Sequence, residues 1–191
     1  MNKSEERKEK MNELAQLFNA NSGEKVGRRC SGRWSGTTDY SVRFDNGYEF
    51  FISSAMERFD RNLDYLLKVY GTFKEKKAEI ISILREMEKD DALIAAENNL
   101  KSYHIVDVDY LKNVDDYIGW FYAVIEVDGV QTTIQETGLN YEIKDFLNDG
   151  DKNHLLAKKS RKYYVAGGVV TPEYVFHGYG FSIGSYTAHG T

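Results

Sequence analysis

From Ser54 to Asn99 the chain runs for 46 residues without a proline, in a sequence of 191 residues whose single proline is Pro172. Proline is the residue that a helix interior tolerates least, because it removes a backbone donor and collides with the preceding turn. Within the stretch Phe59, Leu63, Leu66, Leu67 and Tyr70 recur at three- and four-residue intervals, and Phe73, Ile80, Leu84, Met87 and Ile94 continue the pattern. Such spacing marks an apolar stripe along an α-helix. Gly71 separates the two sets, so the pattern predicts two helices, or one helix bent at that glycine, over residues 55–99. The stripes suit packing within one chain or between copies, which leaves oligomeric state open.

The remaining segments supply strands. Ser4 to Asn19 carries Met11, Leu14, Ala15, Leu17 and Phe18 and predicts a helix over 4–19 that docks by its C-terminal half. In residues 38–53, Tyr40, Val42 and Phe44 alternate with polar residues, as do Tyr48, Phe50 and Ile52 beyond Asp45-Asn46-Gly47. A three-residue loop pairs Phe44 with Tyr48, Val42 with Phe50 and Tyr40 with Ile52. All six apolar side chains then share a face, with Gly47 as the left-handed residue of a bulge. Asp128-Gly129 predicts a two-residue hairpin that sets Val127 against Val130, Ile125 against Thr132 and Ala123 against Ile134. Trp120, Tyr122 and Val124 then face the other way and need a cover. Leu139 to Leu147 predicts a short helix, Arg161 to Val170 a strand ending at Thr171-Pro172, and Tyr174 to Tyr186 a glycine-interrupted strand or pair, so that C-terminal strands span 161–186. The expectation is a single α+β domain over 1–191, with two antiparallel sheet regions bridged by the long helical segment.

Several chemistries are disfavoured. Lone Cys30 forms no internal disulfide, the polar N-terminus lacks a signal-peptide core, and no run of about 18 apolar residues spans a bilayer. The expected setting is a reducing cytoplasm, with no membrane association. Asn2-Lys3-Ser4 fits a glycosylation sequon, which has no consequence there. Gly180-Phe181-Ser182-Ile183-Gly184 fits a nucleophile-elbow pattern, but no acidic residue follows Ser182 and only His189 lies beyond it. Gly167-Gly168 and Gly178-Tyr179-Gly180 lack the lysine of a phosphate loop and read as close strand contacts. His104, His154, His177 and His189 stand far apart without metal-ligand spacing. Neither a metal, a cofactor nor an enzymatic activity is expected.

Charge is distributed unevenly. Residues 107–151 hold eleven carboxylates against Lys112 and Lys144, whereas the whole chain carries 30 acidic and 25 basic residues. Such a field suits a basic partner and repels nucleic acid. Asp107, Asp109, Asp115, Asp116, Asp128, Asp145 and Asp149 are the candidate partner-binding charges, with Trp120 and Tyr122 as aromatic anchors. The alternative is weak nucleic-acid binding through Arg28, Arg29 and Arg33 and through Lys158, Lys159, Arg161 and Lys162. Trp34, Tyr163 and Tyr164 stand beside these cations, the composition of a single-strand platform.

The segment Arg33-Trp34-Ser35-Gly36-Thr37-Thr38-Asp39-Tyr40-Ser41, followed by Phe44-Asp45-Asn46-Gly47 and a charged helical run through Lys77 and Ile80, resembles small proteins of phages and conjugative elements. These include type II anti-CRISPR inhibitors. The likeness covers residues 28–90, with an echo at Tyr174-Val175-Phe176-His177 and Phe181-Ser182. It implies stoichiometric binding to a type II CRISPR effector nuclease or its guide-RNA complex in a bacterial host cell, by an acidic surface standing in for DNA phosphate. The second reading is a nucleic-acid-binding accessory protein of such an element.

Overall fold

The computed structural model describes residues 2–26, 38–45, 47, 49–53, 58–110, 121–134, 140–156, 162–172 and 185–187. In order these form α1 (Lys3–Leu17), β1 (Asn21–Val26), β2 (Thr38–Arg43), β3 (Glu49–Ser53), α2 (Phe59–Glu97), β4 (His104–Tyr110), β5 (Phe121–Val127), β6 (Val130–Ile134), α3 (Asn140–Asp149), α4 (Asn153–Leu156), β7 (Lys162–Ala166), β8 (Val169–Pro172) and β9 (Ser185–Thr187). Helices beside antiparallel sheets make the class α+β, as the change of periodicity along the chain predicts. The described residues divide into two compact units, one carrying those up to Glu75 and the other those from Lys76 onward.

Within the proline-free stretch, Phe59–Glu97 form one uninterrupted helix of 39 residues. Gly71 lies within it and does not separate two helices. A glycine lowers helix propensity by about 1 kcal/mol against alanine. That is too little to break a helix anchored on both sides by Tyr70 and Phe73, which are fully buried.

In the first unit α1 starts in a capping box. The Asn2 side chain accepts the Glu5 N–H at 3.0 Å, and Glu5 Oε2 accepts the Asn2 N–H at 2.8 Å. The sequon match at Asn2 is thus a helix start. The helix ends on Asn19 in the left-handed region, φ 52°, with the Ala20 N–H on the Ala15 carbonyl at 2.9 Å; α2 ends the same way on Asn99 and Leu100. The sheet order is β1-β2-β3. Tyr40 lies opposite Ile52 and Val42 opposite Phe50, and Gly47, at φ 87°, donates its N–H to the Phe44 carbonyl, so the predicted register and turn hold. Met11, Leu14 and Ala15 of α1 and Phe18 at its C-cap are buried, as are Tyr40, Val42 and Phe44, and Phe59, Leu63, Tyr70 and Phe73. Phe18 meets Tyr70 and Phe44 edge-on at 4.7 and 5.9 Å between ring centroids. Arg7 forks onto Asp60 at 2.6 and 2.9 Å and lies over the Phe59 ring, and this pairing holds the Asp60 carboxyl well below the usual carboxylate range.

The second unit holds two more sheets, β4-β5-β6 and β8-β7-β9, so the described chain has three sheets where two regions are expected. The β5–β6 register is the predicted one, and both Asp128 (φ 51°) and Gly129 (φ 77°) are left-handed, as a type I′ turn requires. The predicted single strand over 161–170 is instead a second such hairpin. Gly167 and Gly168, at φ 56° and 76°, turn the chain between β7 and β8, and Pro172 ends β8 at the sheet edge where its missing N–H is harmless. β4 carries a bulge between Ile105 and Asp107, which keeps Ile105, Val108 and Tyr110 buried together. Ile80, Ile83, Leu84 and Met87 of α2 are buried, as are Phe121, Ala123 and Ile125 of β5, and Ile143, Phe146, Leu155 and Leu156. Val165 and Val170 close on Ala95, Ile94 and Leu100. One position of the α2 stripe is polar. Asp91 is wholly buried and accepts the hydroxyl of buried Tyr103 at 2.6 Å.

Candidate functional site

The described part of the acidic stretch belongs to the second unit, and its candidate partner-binding carboxylates fall in three places. On β4, the Asp107 carboxylate lies 3.1 Å from Lys77 Nζ and accepts the Val108 N–H, while Asp109 accepts the Tyr110 N–H at 2.9 Å. Burial, and then the Asp109 charge, push the Tyr110 phenol up to about 12. Tyr122 stands opposite Asp109 and is half-buried. At the β5–β6 turn Asp128 pairs with Lys101 Nζ. Lys77 and Lys101 lie outside residues 107–151, so a sum over that window overstates the charge that these two carboxylates present. Asp115, Asp116 and Trp120 lie outside the described residues.

The third place is the α3–α4 junction. Tyr141, Asp145 and Asp149 recur at i, i+4 and i+8, which puts them on one face of α3, and all three are exposed, Tyr141 by 76%. Ile143 and Phe146 occupy the buried face. The helix ends at Gly150 (φ 75°), whose N–H reaches the Phe146 carbonyl at 2.7 Å. The chain then turns on its carboxylates: Asp149 accepts the Asp151 N–H at 2.8 Å and Asp151 accepts the Asn153 N–H at 2.9 Å. Asp149 Oδ2 also lies 2.7 Å from His154 Nε2. The Asp151 N–H, and then His154, lower the Asp149 pKa; the Asp149 bond raises that of His154, with Asp145 and Asp151 adding to it. Among the described residues no lysine or arginine pairs with Asp145, Asp149 or Asp151, and α3 has no basic residue in its last turn. The negative end of the helix dipole adds to this field. Burial pushes the half-buried Lys144 ammonium below its ordinary pKa.

This face combines an exposed aromatic ring with carboxylates that pair with no arginine or lysine among the described residues. Reading the sequence by windows counts Asp151 as a charge and passes over Tyr141; the i, i+4, i+8 repeat of residues 141, 145 and 149 is the signal that brings Tyr141 in.

Of the basic residues, Arg28, Arg29, Arg33, Lys158, Lys159 and Arg161 lie outside the described residues, and Lys162 opens β7 opposite Thr187. A cleft of about 260 Å³ between α1, β1 and β2 is bordered by Lys8 and Glu24, which pair with each other at 3.2 Å. Among the described residues no cluster of three His, Cys, Asp or Glu side chains has metal-holding geometry, and no helix is long and apolar enough to cross a membrane. Compared with protein-family models, curated proteins and solved structures, the chain matches none.

Proposed function

We propose that the protein is an anti-CRISPR-type inhibitor. It binds a type II RNA-guided effector nuclease, or that nuclease with its guide RNA, in the host cytoplasm and blocks DNA binding or cleavage. The observation that carries this reading is the exposed α3 face, where Tyr141, Asp145 and Asp149 align and Asp151 follows. An effector of this kind holds DNA in a channel of lysines and arginines and reads its PAM with arginines. A rigid row of carboxylates can occupy phosphate positions there and displace the same counterions. The aromatic ring supplies buried area that charge alone does not. The resemblance of residues 28–90 to proteins of mobile elements points to the same class of target. The mode of action is binding, without catalysis or a cofactor.

The test is a DNA-cleavage assay with a purified type II effector and guide RNA, adding the protein before or after target DNA. Inhibition confined to addition before DNA is expected. The triple variant D145N/D149N/D151N should bind more weakly with a flatter salt dependence, and Tyr141→Ala should weaken binding about tenfold, the equivalent of about 1.4 kcal/mol. No inhibition together with no co-elution refutes the proposal. Retention of the protein on heparin at low salt in that case favours the nucleic-acid-binding reading.

A further inference from the structure

Residues of an edge strand in an antiparallel sheet alternately direct both backbone groups at the neighbouring strand and away from it. The β5–β6 turn sets the phase for the whole β4-β5-β6 sheet. Its two-residue loop makes Val127 and Val130 a hydrogen-bonded pair, so Val127, Ile125, Ala123 and Phe121 turn their backbone groups toward β6. Their partners on β4 are Ile105 opposite Ile125, Val108 opposite Ala123 and Tyr110 opposite Phe121. These three residues therefore point their N–H and C=O groups to the outer edge, and the bulge at Val106 preserves the phase between Ile105 and Val108.

Each of the three outward N–H groups ends on a carboxylate. Ile105 donates to Glu88 Oε2 at 2.7 Å, Val108 to Asp107 Oδ1 at 2.8 Å and Tyr110 to Asp109 Oδ1 at 2.9 Å. The outward Ile105 carbonyl accepts from Arg85 Nε and Nη2, both at 3.2 Å. Lys77 steadies Asp107. An edge with open N–H groups is a template for another strand, and two copies related by a two-fold axis bring identical edges together.

We propose that Glu88, Asp107 and Asp109 are a carboxylate guard on the β4 edge that prevents a second copy of this chain from adding its own β4 there. To pair, a second strand must first displace the three hydrogen bonds that occupy these donors. The guard works by occupying donors, which separates it from simple charge repulsion between copies.

That distinction sets the experiment. D107A/D109A removes the acceptors, whereas D107N/D109N removes the charge and keeps an oxygen in place; both are followed by sedimentation velocity over a range of concentrations. The alanine pair should dimerise at least about tenfold more tightly than the unmodified protein, and the asparagine pair should match the unmodified protein. An alanine pair that associates no more than the unmodified protein overturns the proposal, as does an asparagine pair that associates as strongly as the alanine pair. Should the double alanine variant fail to fold, amide exchange in the single variants decides. Asp107→Ala should speed exchange at Val108 and Asp109→Ala at Tyr110, and unchanged rates at both reject the guard.

Discussion

Replacing Gly71 with alanine tests the continuity of α2 directly. Gly71 has helical backbone, and a Cβ built on it meets nothing within 4 Å, so alanine fits without displacing a neighbour. The gain in helix propensity is about 0.8–1.0 kcal/mol, drawn from the lost freedom of the unfolded chain and the better-covered backbone. That gain raises the Tm of a chain this size by about 2–4 °C. Thermal melts followed by far-UV circular dichroism measure the shift. Gly168→Ala is the control: it too has open space around its Cβ, but its φ of 76° makes any side chain strained, so it should destabilise by about 1–2 kcal/mol. An unchanged or lowered Tm for Gly71→Ala would refute the reasoning, because a true break or hinge at that glycine gains nothing from a helix former.

Tyr103→Phe removes the hydroxyl that donates to buried Asp91 and should cost about 1–3 kcal/mol in urea unfolding, far more than the same change at exposed Tyr65; near-equal effects would reject the buried bond as a stabilising element. His154 should titrate above its ordinary value of 6.5 by NMR and fall back toward it in Asp149→Asn. A raised pKa in the folded state means that the protonated ring contributes fully below 6.5 and loses its contribution as pH rises through the higher folded value. The lowered Asp149 pKa gives the opposite limb, full above 3.8 and lost as pH falls. The pair should therefore hold best between those two values, and a His154 titration unchanged by Asp149→Asn would reject it.

Elements whose side chains report their environment were legible in the sequence. The 38–53 and 121–134 hairpins combine one consistent apolar face with a turn that needs left-handed residues, and together these conditions admit a single register. β1 was not legible, because Asn21-Ser22-Gly23-Glu24 lacks apolar alternation and the strand forms by backbone pairing to β2. β4 was hidden by its own bulge, since one extra residue shifts the alternation of Ile105, Val108 and Tyr110 out of period two. Gly167-Gly168 obeys the same turn rule as Asp128-Gly129, but it sits in a short apolar run that also reads as one strand. The acidic site was half legible. A window of sequence counts charges but not the cations that reach in from elsewhere, and Lys77 and Lys101 do so. Tyr141 was passed over because a charge count ignores the four-residue spacing that α3 turns into one face with Asp145 and Asp149.

Asp91 has a consequence for how α2 and β4 find each other. A stripe repeating every three and four residues looks nearly the same to an apolar surface after the helix slides by one turn, about 5.4 Å. Apolar contact is non-directional and would accept several such offsets. Asp91 breaks that translational near-symmetry, because it is met by the Tyr103 hydroxyl at one offset, while Arg85 and Glu88 meet the backbone of Ile105 at the same one. These bonds act as the teeth of a key, and every other alignment leaves a carboxylate in the core without that donor. The helix and the strand beside it thus have one axial address, set by a polar residue in an otherwise interchangeable row.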